Sequence, residues 1–371
     1  MKITGLDLHG VRTPRRYGTV CAADGGGADV TVEESYHYVL ELHTDTGLTG
    51  LGEISDVEMV PNYTPDDVPP REVLEETLRW WLTGRDPRRR ESLYLERPFR
   101  GLVAAAVDMA IHDLLGQAWG VPVYDLLGGL TNPSPLICWV VFIRDDLALL
   151  REEIAEQLAA GFRAFKLKVG VDAELDDARL AVVREIVGPQ AEIKIDASGA
   201  WSVDEAIATI GRLSRHNLAG VETPVPRGHV EELAAVRRAV TVPILEHAND
   251  FELALAMIRA DAVDVINTYV GGMGGLYPLQ KMLALCEAAQ VGVLLGSTLE
   301  LGIGTAAQLH AAVSTSTLCM SSDLIGPAMY TADVIAEPFV YADSSLRLPT
   351  APGLGVRLDR QRLEELRWDP A

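Results

Sequence analysis

The first sixty residues alternate between apolar and polar positions, the period-two pattern typical of β-strands. Residues 1–13 and 35–54 both follow it, and the sequence TDTG at 44–47 suits a tight turn. Residues 21–34 between them are rich in glycine and acidic residues, which predicts a mobile loop. Residues 70–84 and 101–120 are predicted helices, and the second has apolar residues at helical spacing. The N-terminal region is therefore predicted to be α+β.

From about Leu136 onward, short apolar strands alternate with amphipathic helices. The predicted strands are 136–143, 164–170, 192–199, 220–225, 243–248, 263–270, 291–297 and 317–324. A strand–helix unit of roughly 20 to 30 residues, repeated about eight times, is the signature of a (β/α)8 barrel. A doubly wound open sheet is the alternative, disfavoured because no glycine-rich phosphate loop follows the first strand. We expect an α/β protein with a (β/α)8-type barrel at 126–335. An α+β capping domain would be built from 1–125 and the C-terminal segment 336–371.

The sequence AFKLKVG at 164–170 places two lysines one residue apart in a predicted strand. Side chains alternate between the faces of a strand, so Lys166 and Lys168 share the face opposite Phe165 and Leu167. Taken alone, this pattern suits an edge strand with a solvated lysine face. In a barrel, one strand face packs on helices and the other points inside, so both lysines are predicted to point inward near the catalytic end.

The next three predicted strands each end in a carboxylate, namely Asp196, Glu222 and Glu246. A single acid in such a position more often caps a loop or pairs with an arginine. Three anions brought together repel one another and need a compensating cation. Hard oxygen ligands in a set of three suit Mg²⁺ better than Zn²⁺. The sequence therefore predicts a Mg²⁺ site here, whereas strict alternation turns His247 away into a structural role.

The predicted pairing of lysines with a cation indicates carbon-acid chemistry. A lysine beside a divalent cation and a second lysine has its neutral amine favoured, and a neutral amine is a base. A metal that holds a substrate carboxylate stabilises the enediolate formed when the proton α to that carboxylate is removed.

A series of motifs resembles the enolase superfamily, in particular its muconate-lactonizing-enzyme-like branch. They include FKLKVG, KIDASGAW, VETPVP, VPILEHA, NTYVGGMGGL and DLIGP, and the resemblance covers nearly the whole chain. It implies that Lys168 is the base and Lys166 its neighbour. It further implies that Asp196, Glu222 and Glu246 bind Mg²⁺, and that the loop at 21–30 helps to cover the substrate.

Two positions depart from the branch pattern. Tyr269, preceded by Thr268, stands where the sixth strand usually carries a second lysine, and Ser198 replaces the commoner asparagine. A phenol is a poor base but a good proton donor, so a Lys168–Tyr269 pair suits an anti elimination of water. The chain resembles the cis-3-hydroxy-L-proline dehydratases of the superfamily, which implies a lyase that forms 1-pyrroline-2-carboxylate.

In that hypothesis Tyr269, with Thr268, protonates the leaving hydroxyl, and Ser198 and Glu300 contact the substrate. Glu300 would bind the ring ammonium, although a loop-end salt bridge explains it equally well. One alternative is an epimerase, racemase or cycloisomerase of an amino-acid derivative in the same superfamily. Another is a metal-binding protein without catalysis, which the intact lysines and acids disfavour.

Composition narrows the class of partner. The 371 residues are 48% hydrophobic and carry a formal net charge of −21, with a sequence pI near 4.7. Such acidity argues against nucleic acid or an anionic membrane as a partner. Four scattered cysteines and the absence of any apparent targeting or membrane-spanning stretch predict a cytoplasmic protein. A small carboxylate substrate and a symmetric homo-oligomer are expected.

Overall fold

A three-stranded antiparallel sheet opens the chain. The computed structural model describes residues 1–23, 27–28, 31–57 and 68–369, so half of the predicted covering loop at 21–30 lies outside the described residues. Strands β1 (Ile3–Thr19), β2 (Val32–Thr44) and β3 (Thr49–Ile54) pair in that order. Both predicted strand segments are thus present, and the predicted turn at 44–47 joins β2 to β3 within the second of them.

The sheet packs closely on the helix Gly101–Trp119 because glycines line the contact. A Cβ atom at Gly52 would lie 1.9 Å from the backbone oxygen of Ala106, and one at Gly50 would lie 2.2 Å from that of Ala110. The helix ends at Gly120, whose φ of 72° is the left-handed conformation that glycine adopts most readily. Three further helices belong to this region: Arg71–Leu82, Arg90–Leu95 and Val123–Leu126.

Seven parallel strands form the second part of the protein. They are β4 (Trp139–Val141), β5 (Ala164–Lys168), β6 (Glu192–Asp196), β7 (Gly220–Glu222), β8 (Ile244–His247), β9 (Val265–Thr268) and β10 (Gly292–Leu295), and each pairs with its neighbours in the chain. The longer helices that alternate with them are Leu147–Ala159, Ala173–Val187, Val203–Leu213, Val230–Ala239, Phe251–Arg259, Leu276–Ala289 and Gly302–Val313. Short helices lie at Ser214–His216 (a 3₁₀ turn), Val270–Met273 and Gly326–Met329.

The eighth predicted strand, 317–324, is not a regular strand. Leu318 makes an isolated parallel bridge to Val293 of β10, and Ser322 makes another to Ile137, just before β4. The same segment therefore contacts both edges of the sheet. The α/β architecture agrees with the prediction, with a seven-stranded parallel sheet as its regular part.

The two faces of the parallel strands carry different side chains. Phe165 and Leu167 of β5 pack in the large hydrophobic core together with helix residues such as Leu180. On the inner side, Leu245, Val265 and Leu294 form a separate small cluster. Inner positions near the ends of β5, β6 and β7 are polar and buried, and these positions build the candidate site.

The C-terminal segment divides between the two parts of the protein. A short hairpin, β11 (Tyr341–Ala342) and β12 (Ser345–Leu346), lies at the start of the parallel strands, where the backbone oxygen of Ser344 accepts a hydrogen bond from Ile137. After the helix Arg360–Glu365, Arg367 bridges to Val11 of β1. The helix also contacts the N-terminal sheet, because Arg360 donates to both carboxylate oxygens of Glu41 in β2 at 2.7 Å.

No helix among the described residues has the length and apolar character needed to cross a membrane.

Candidate active site

A cavity of about 60 Å³ lies between the ends of the parallel strands and the N-terminal sheet. Lys166 and Lys168 both line it, so the predicted inward direction of the two lysines agrees with the structure. They are 4% and 8% exposed, respectively. The other lining residues are Arg15, Thr19, Cys21, Val32, Asp56, Val140, Phe142, His247, Ser297, Thr298, Leu299 and Asp323.

Lys166 is surrounded by carboxylates. Its Nζ donates to Glu222 Oε1 and to Asp323 Oδ2, both at 2.8 Å, and lies 3.1 Å from Asp196 Oδ2. Burial alone disfavours the ammonium form, but these three carboxylates outweigh burial and hold the pKa of Lys166 well above its ordinary value. Lys166 therefore stays charged, which suits a group that stabilises negative charge rather than one that removes a proton.

Lys168 lies next to Asp196. Its Nζ donates to Asp196 Oδ2 at 2.6 Å. Burial raises the pKa of Asp196, but Lys168 and Lys166 outweigh burial and bring that pKa well below the ordinary value. Ser198, predicted to contact the substrate, instead donates from both its backbone nitrogen and its hydroxyl to Asp196 Oδ1, at 2.8 and 3.2 Å. Ser198 thus fixes the orientation of this carboxylate.

Glu246 does not share a face with Asp196 and Glu222, contrary to our expectation. The inner positions of β8 are Leu245, which packs in the inner cluster, and His247, which lines the cavity. Glu246 accepts hydrogen bonds from the Thr223 hydroxyl at 2.9 Å and from the His247 backbone nitrogen at 2.7 Å. Burial raises the pKa of Glu246 to about 7.

His247 was expected to point away from the site, and this expectation was also wrong. Its Nε2 lies 2.9 Å from Glu222 Oε1, which further accepts a hydrogen bond from Asn267 at 3.0 Å. The direction of β8 could not be read from the sequence, because Ile244 and Leu245 are both apolar and either could face inward.

Asp196 and Glu222 fit a divalent cation better than Glu246 does. Glu222 Oε2 is buried and has no hydrogen-bond partner among the described residues, and carboxylate oxygens are the ligands that Mg²⁺ prefers. No group of three or more His, Cys, Asp or Glu side chains is arranged to hold a metal in the part of the chain that the structure describes. Lysine ammonium groups lie among the carboxylates instead, so the structure brings together two of the three predicted ligands.

Tyr269 and Thr268 stand at the end of β9 but are not among the described residues that line the cavity. Tyr269 is 1% exposed and belongs to the hydrophobic cluster of the N-terminal region, together with Leu102. Its ring lies near Gly271, where an added Cβ would be 3.0 Å from the ring. The phenol therefore packs against the N-terminal region, and this placement does not favour its predicted role as proton donor.

Glu300 is also held away from the cavity surface. It is buried and accepts hydrogen bonds from the Ser297 hydroxyl and, at 3.2 Å, from the Thr298 backbone nitrogen. Burial raises its pKa above the ordinary value. Since Ser297 and Thr298 both line the cavity, Glu300 fixes the loop that forms this part of the wall.

Sequence reasoning missed two parts of the site. Asp323 lies in the segment 317–324 that the sequence predicts as the eighth strand, but no site role was predicted for it, and its carboxylate contacts both Lys166 and Lys194. Arg15 and Asp56 bring a buried ion pair from the N-terminal sheet to the cavity. The only available signal for Asp323 was its place in the DLIGP motif.

Comparison with known proteins identifies the family. Residues 149–362 match the family model for enolase C-terminal domain-like proteins, and residues 27–128 match that for the mandelate racemase/muconate lactonizing enzyme N-terminal domain. The chain belongs to the mandelate racemase/muconate lactonizing enzyme family of the enolase superfamily. Members of this superfamily are metal-dependent enzymes.

Curated relatives span nearly the whole chain. The N-succinyl-L-Arg/Lys racemase of Bacillus cereus is 28% identical over 99% of this chain and 98% of its own length. The chloromuconate cycloisomerase of Pseudomonas putida is 30% identical over 90% of this chain and 92% of its own. Both names describe isomerisations of small carboxylates, and neither describes a dehydration.

Solved structures give the same result. The 2-chloromuconate cycloisomerase of Rhodococcus opacus superposes with a TM-score of 0.90 at 26% identity, covering 100% of both chains. A dipeptide epimerase of Enterococcus faecalis, complexed with Mg and the dipeptide L-Leu-L-Tyr, has a TM-score of 0.84 at 26% identity, covering 96% of this chain and 99% of the epimerase.

Proposed function

We propose that this protein is an isomerase that removes and returns the proton on the carbon α to the carboxylate of a small amino-acid derivative. The observation that carries the proposal is the pair of lysines in one cavity with different surroundings. Lys166 contacts three carboxylates and stays charged, whereas Lys168 donates to Asp196 at the cavity surface. The racemases, epimerases and cycloisomerases among the relatives support this class of reaction.

Lys168 is assigned the proton transfer in this proposal. Its amine takes the α-proton on one face of the carbon and returns it later. The charged Lys166 lies beside the developing enediolate and offsets its negative charge. Asp196 and Glu222 are the residues that would hold a divalent cation, and such a cation, when bound, supplies Lewis-acid stabilisation of the substrate carboxylate.

Inversion at the α-carbon requires a second proton donor, because a single base serves one face. The position directly after β9 holds Tyr269 and not a lysine. We assign this role to His247, whose imidazole lines the same cavity and can both donate and accept a proton. In this arrangement, His247→Gln retains exchange of the α-proton but loses inversion.

The second candidate function is dehydration of cis-3-hydroxy-L-proline to 1-pyrroline-2-carboxylate. The Thr268–Tyr269 pair in place of the second lysine favours it. It requires the Tyr269 hydroxyl to reach the 3-hydroxyl of the substrate, so the packing of the ring against Leu102 counts against it.

For the fold, we propose that the parallel sheet closes into an eight-membered barrel. The segment 317–324 would be the eighth member, because it bridges Val293 at one edge of the sheet and Ile137 at the other.

A substrate panel tests the proposal. The purified protein with Mg²⁺ in D₂O is incubated with N-succinyl amino acids, dipeptides, cis,cis-muconate and cis-3-hydroxy-L-proline, and products are followed by NMR and chiral chromatography. We expect α-deuteration and altered stereochemistry for at least one amino-acid derivative. Formation of the pyrroline without deuterated isomer establishes the second candidate instead. No reaction with any member of the panel counts against the proposed substrate class.

A further inference from the structure

The helix Gly302–Val313 begins next to the cavity wall without a side-chain cap of its own. Its N-cap residue is Leu301, whose apolar side chain cannot accept a hydrogen bond from the first turn. Serine, threonine, aspartate or asparagine usually fills this position, because the first backbone N–H groups of a helix have no partner within it. The first turn is buried, so acceptors for these N–H groups have to come from elsewhere in the chain.

Glu53 of β3 supplies such acceptors from the N-terminal sheet. Its Oε1 accepts from the backbone nitrogen of Leu301 and its Oε2 from that of Gly304, both at 2.7 Å. The Ser55 hydroxyl donates to Oε1 at 2.9 Å, and Glu53 is 1% exposed. A carboxylate in this place also interacts favourably with the positive end of the helix dipole. One side chain of the N-terminal sheet thus caps a helix that follows the last regular strand of the parallel sheet.

Gly304 leaves room for this contact. An added Cβ would lie 3.2 Å from Glu53 Oε2 and 2.8 Å from Cβ and Cγ of Glu300. The φ of Gly304 is not positive, so its backbone conformation is open to other residues. Close approach of the two glutamate side chains, rather than backbone geometry, therefore accounts for the missing side chain.

The capped end of the helix is joined directly to the cavity wall. Leu301 follows Glu300, whose carboxylate accepts from the Ser297 hydroxyl and from the Thr298 backbone nitrogen. Ser297, Thr298 and Leu299 line the cavity. Fixing the backbone of Leu301 therefore limits the positions that the loop 297–299 can adopt.

We propose that Glu53 is a positioning residue that holds the loop 297–299 of the cavity wall in place from the N-terminal sheet. Glu53 is not among the described residues that line the cavity, so it acts through Leu301 and this loop. Its loss changes how well a ligand fits the wall, whereas the carboxylate contacts of Lys166 and Lys168 are retained. The inference rests on the proposed function only in its kinetic test, because the exchange test needs no substrate.

Hydrogen–deuterium exchange of the intact protein, followed by mass spectrometry, tests the contact. Glu53→Gln removes the charge and replaces one of the two acceptor oxygens with an amide group. We expect the segment 297–304 to exchange about tenfold faster than in the wild type, because a hydrogen bond to a charged group contributes at least this factor. Faster exchange spread evenly over the protein, or unchanged exchange of 297–304, overturns the proposal.

Asp146→Ala is the matched control. Asp146 caps the helix Leu147–Ala159 with its own side chain, accepting from the backbone nitrogens of Ala148 and Leu149. Its replacement removes a helix cap of the same kind and is expected to lower the stability in the same way. Exchange should become faster near residue 146 and stay unchanged at 297–304.

Gly304→Ala tests the same contact from the helix side, and it decides the question even if Glu53→Gln does not fold. We expect a lower Tm and faster exchange at 297–304, because the new methyl group displaces the Glu53 carboxylate. Alanine in place of glycine within a helix is otherwise stabilising. A Tm above that of the wild type overturns the proposal.

A substrate found in the panel separates positioning from a purely structural role. We expect folded Glu53→Gln to raise KM about three- to tenfold, the effect of roughly one lost hydrogen bond, and to leave kcat close to the wild-type value. Asp146→Ala should leave both constants unchanged. An unchanged KM in Glu53→Gln shows that Glu53 only stabilises the fold and overturns the positioning role. If no member of the panel reacts, the proposed function fails, and the exchange measurements still decide the role of Glu53.

Discussion

Asp323→Asn tests the charge network beneath the candidate site. Asp323 Oδ2 accepts from Lys166, and Oδ1 lies 3.2 Å from Lys194 Nζ and 3.1 Å from Cys138 Sγ. Lys194 is 0% exposed, and among the described residues Asp323 is the carboxylate within ion-pair distance of it. The substitution leaves Lys166 with Glu222 and Asp196, but it leaves the Lys194 ammonium without an anionic partner.

The expected loss of stability in Asp323→Asn follows from the burial of Lys194. Removing one partner of a buried ion pair costs about 3–5 kcal/mol, because the remaining charge stays desolvated. For a chain of this length the entropy of unfolding is about 0.8 kcal/mol/K, so the expected fall in Tm is roughly 4–6 °C. Burial raises the pKa of Asp323, but Lys166 and Lys194 outweigh burial and bring it below the ordinary value. The ionised Asp323 carboxylate therefore stabilises the folded protein fully at pH 7, and this contribution is lost only as the pH falls below about 4.

The assay is urea or thermal unfolding at pH 7, followed by circular dichroism. Glu185→Gln is the control, since Glu185 pairs with Arg151 at 2.7 Å on the surface, and it should leave the stability unchanged. Lys194→Met in the Asp323→Asn background removes the stranded charge and should restore part of the loss. A loss below about 1 kcal/mol for Asp323→Asn, or no recovery in the double variant, would show that Asp323 does not stabilise the buried Lys194 ammonium.

Three further predictions address the metal, the phenol and the pH dependence. Binding of Mn²⁺, a probe for Mg²⁺, is measured by EPR, and Glu222→Gln should weaken it at least tenfold. Glu246→Gln should change Mn²⁺ binding little, because the Glu246 carboxylate faces Thr223. A larger effect of Glu246→Gln than of Glu222→Gln would contradict the assigned orientation of β8. Tyr269→Phe should retain α-proton exchange, since the ring packs away from the cavity, and loss of exchange in a folded variant would return the phenol to the mechanism. Burial lowers the pKa of His310 from 6.5 to about 4. As the pH falls from 7 to 5, the histidine is therefore protonated in the unfolded chain but stays neutral in the folded chain, and the wild type loses about 2 kcal/mol of stability. His310→Gln should remove that part of the pH dependence in urea unfolding, and an unchanged pH dependence would show that the ring is not buried as described.

The parts of the site that the sequence predicts are those fixed by strand alternation with a clear polar face. In β5, β6 and β7 the apolar and polar residues alternate cleanly, so the inward directions of Lys166, Asp196 and Glu222 followed from the sequence. In β8 the alternation is ambiguous, because two apolar residues precede Glu246 and His247. Packing of Leu245 against Val265 and Leu294, which belong to other strands, decides that Leu245 and His247 face inward and that Glu246 does not.

Contacts between segments far apart in the chain cannot be predicted from the local pattern of apolar and polar residues. The Arg15–Asp56 pair forms because β1 and the end of β3 are brought together across β2, 41 residues apart in the chain. Tyr269 occupies the predicted position at the end of β9, but contact with the helix Gly101–Trp119 decides where its ring packs. Asp323 lies in a segment with only isolated bridges, so its direction depends on the edges of the sheet rather than on its own periodicity.

The assignment of proton transfer to Lys168 is tested most directly by hydrogen exchange at the α-carbon. A substrate found in the panel is incubated in D₂O with the wild type, Lys168→Ala and Lys166→Ala, and the loss of the α-proton signal is followed by NMR. We predict that Lys168→Ala abolishes exchange, whereas Lys166→Ala slows it but leaves it measurable. Exchange that continues at the wild-type rate in folded Lys168→Ala would show that Lys168 does not transfer the α-proton.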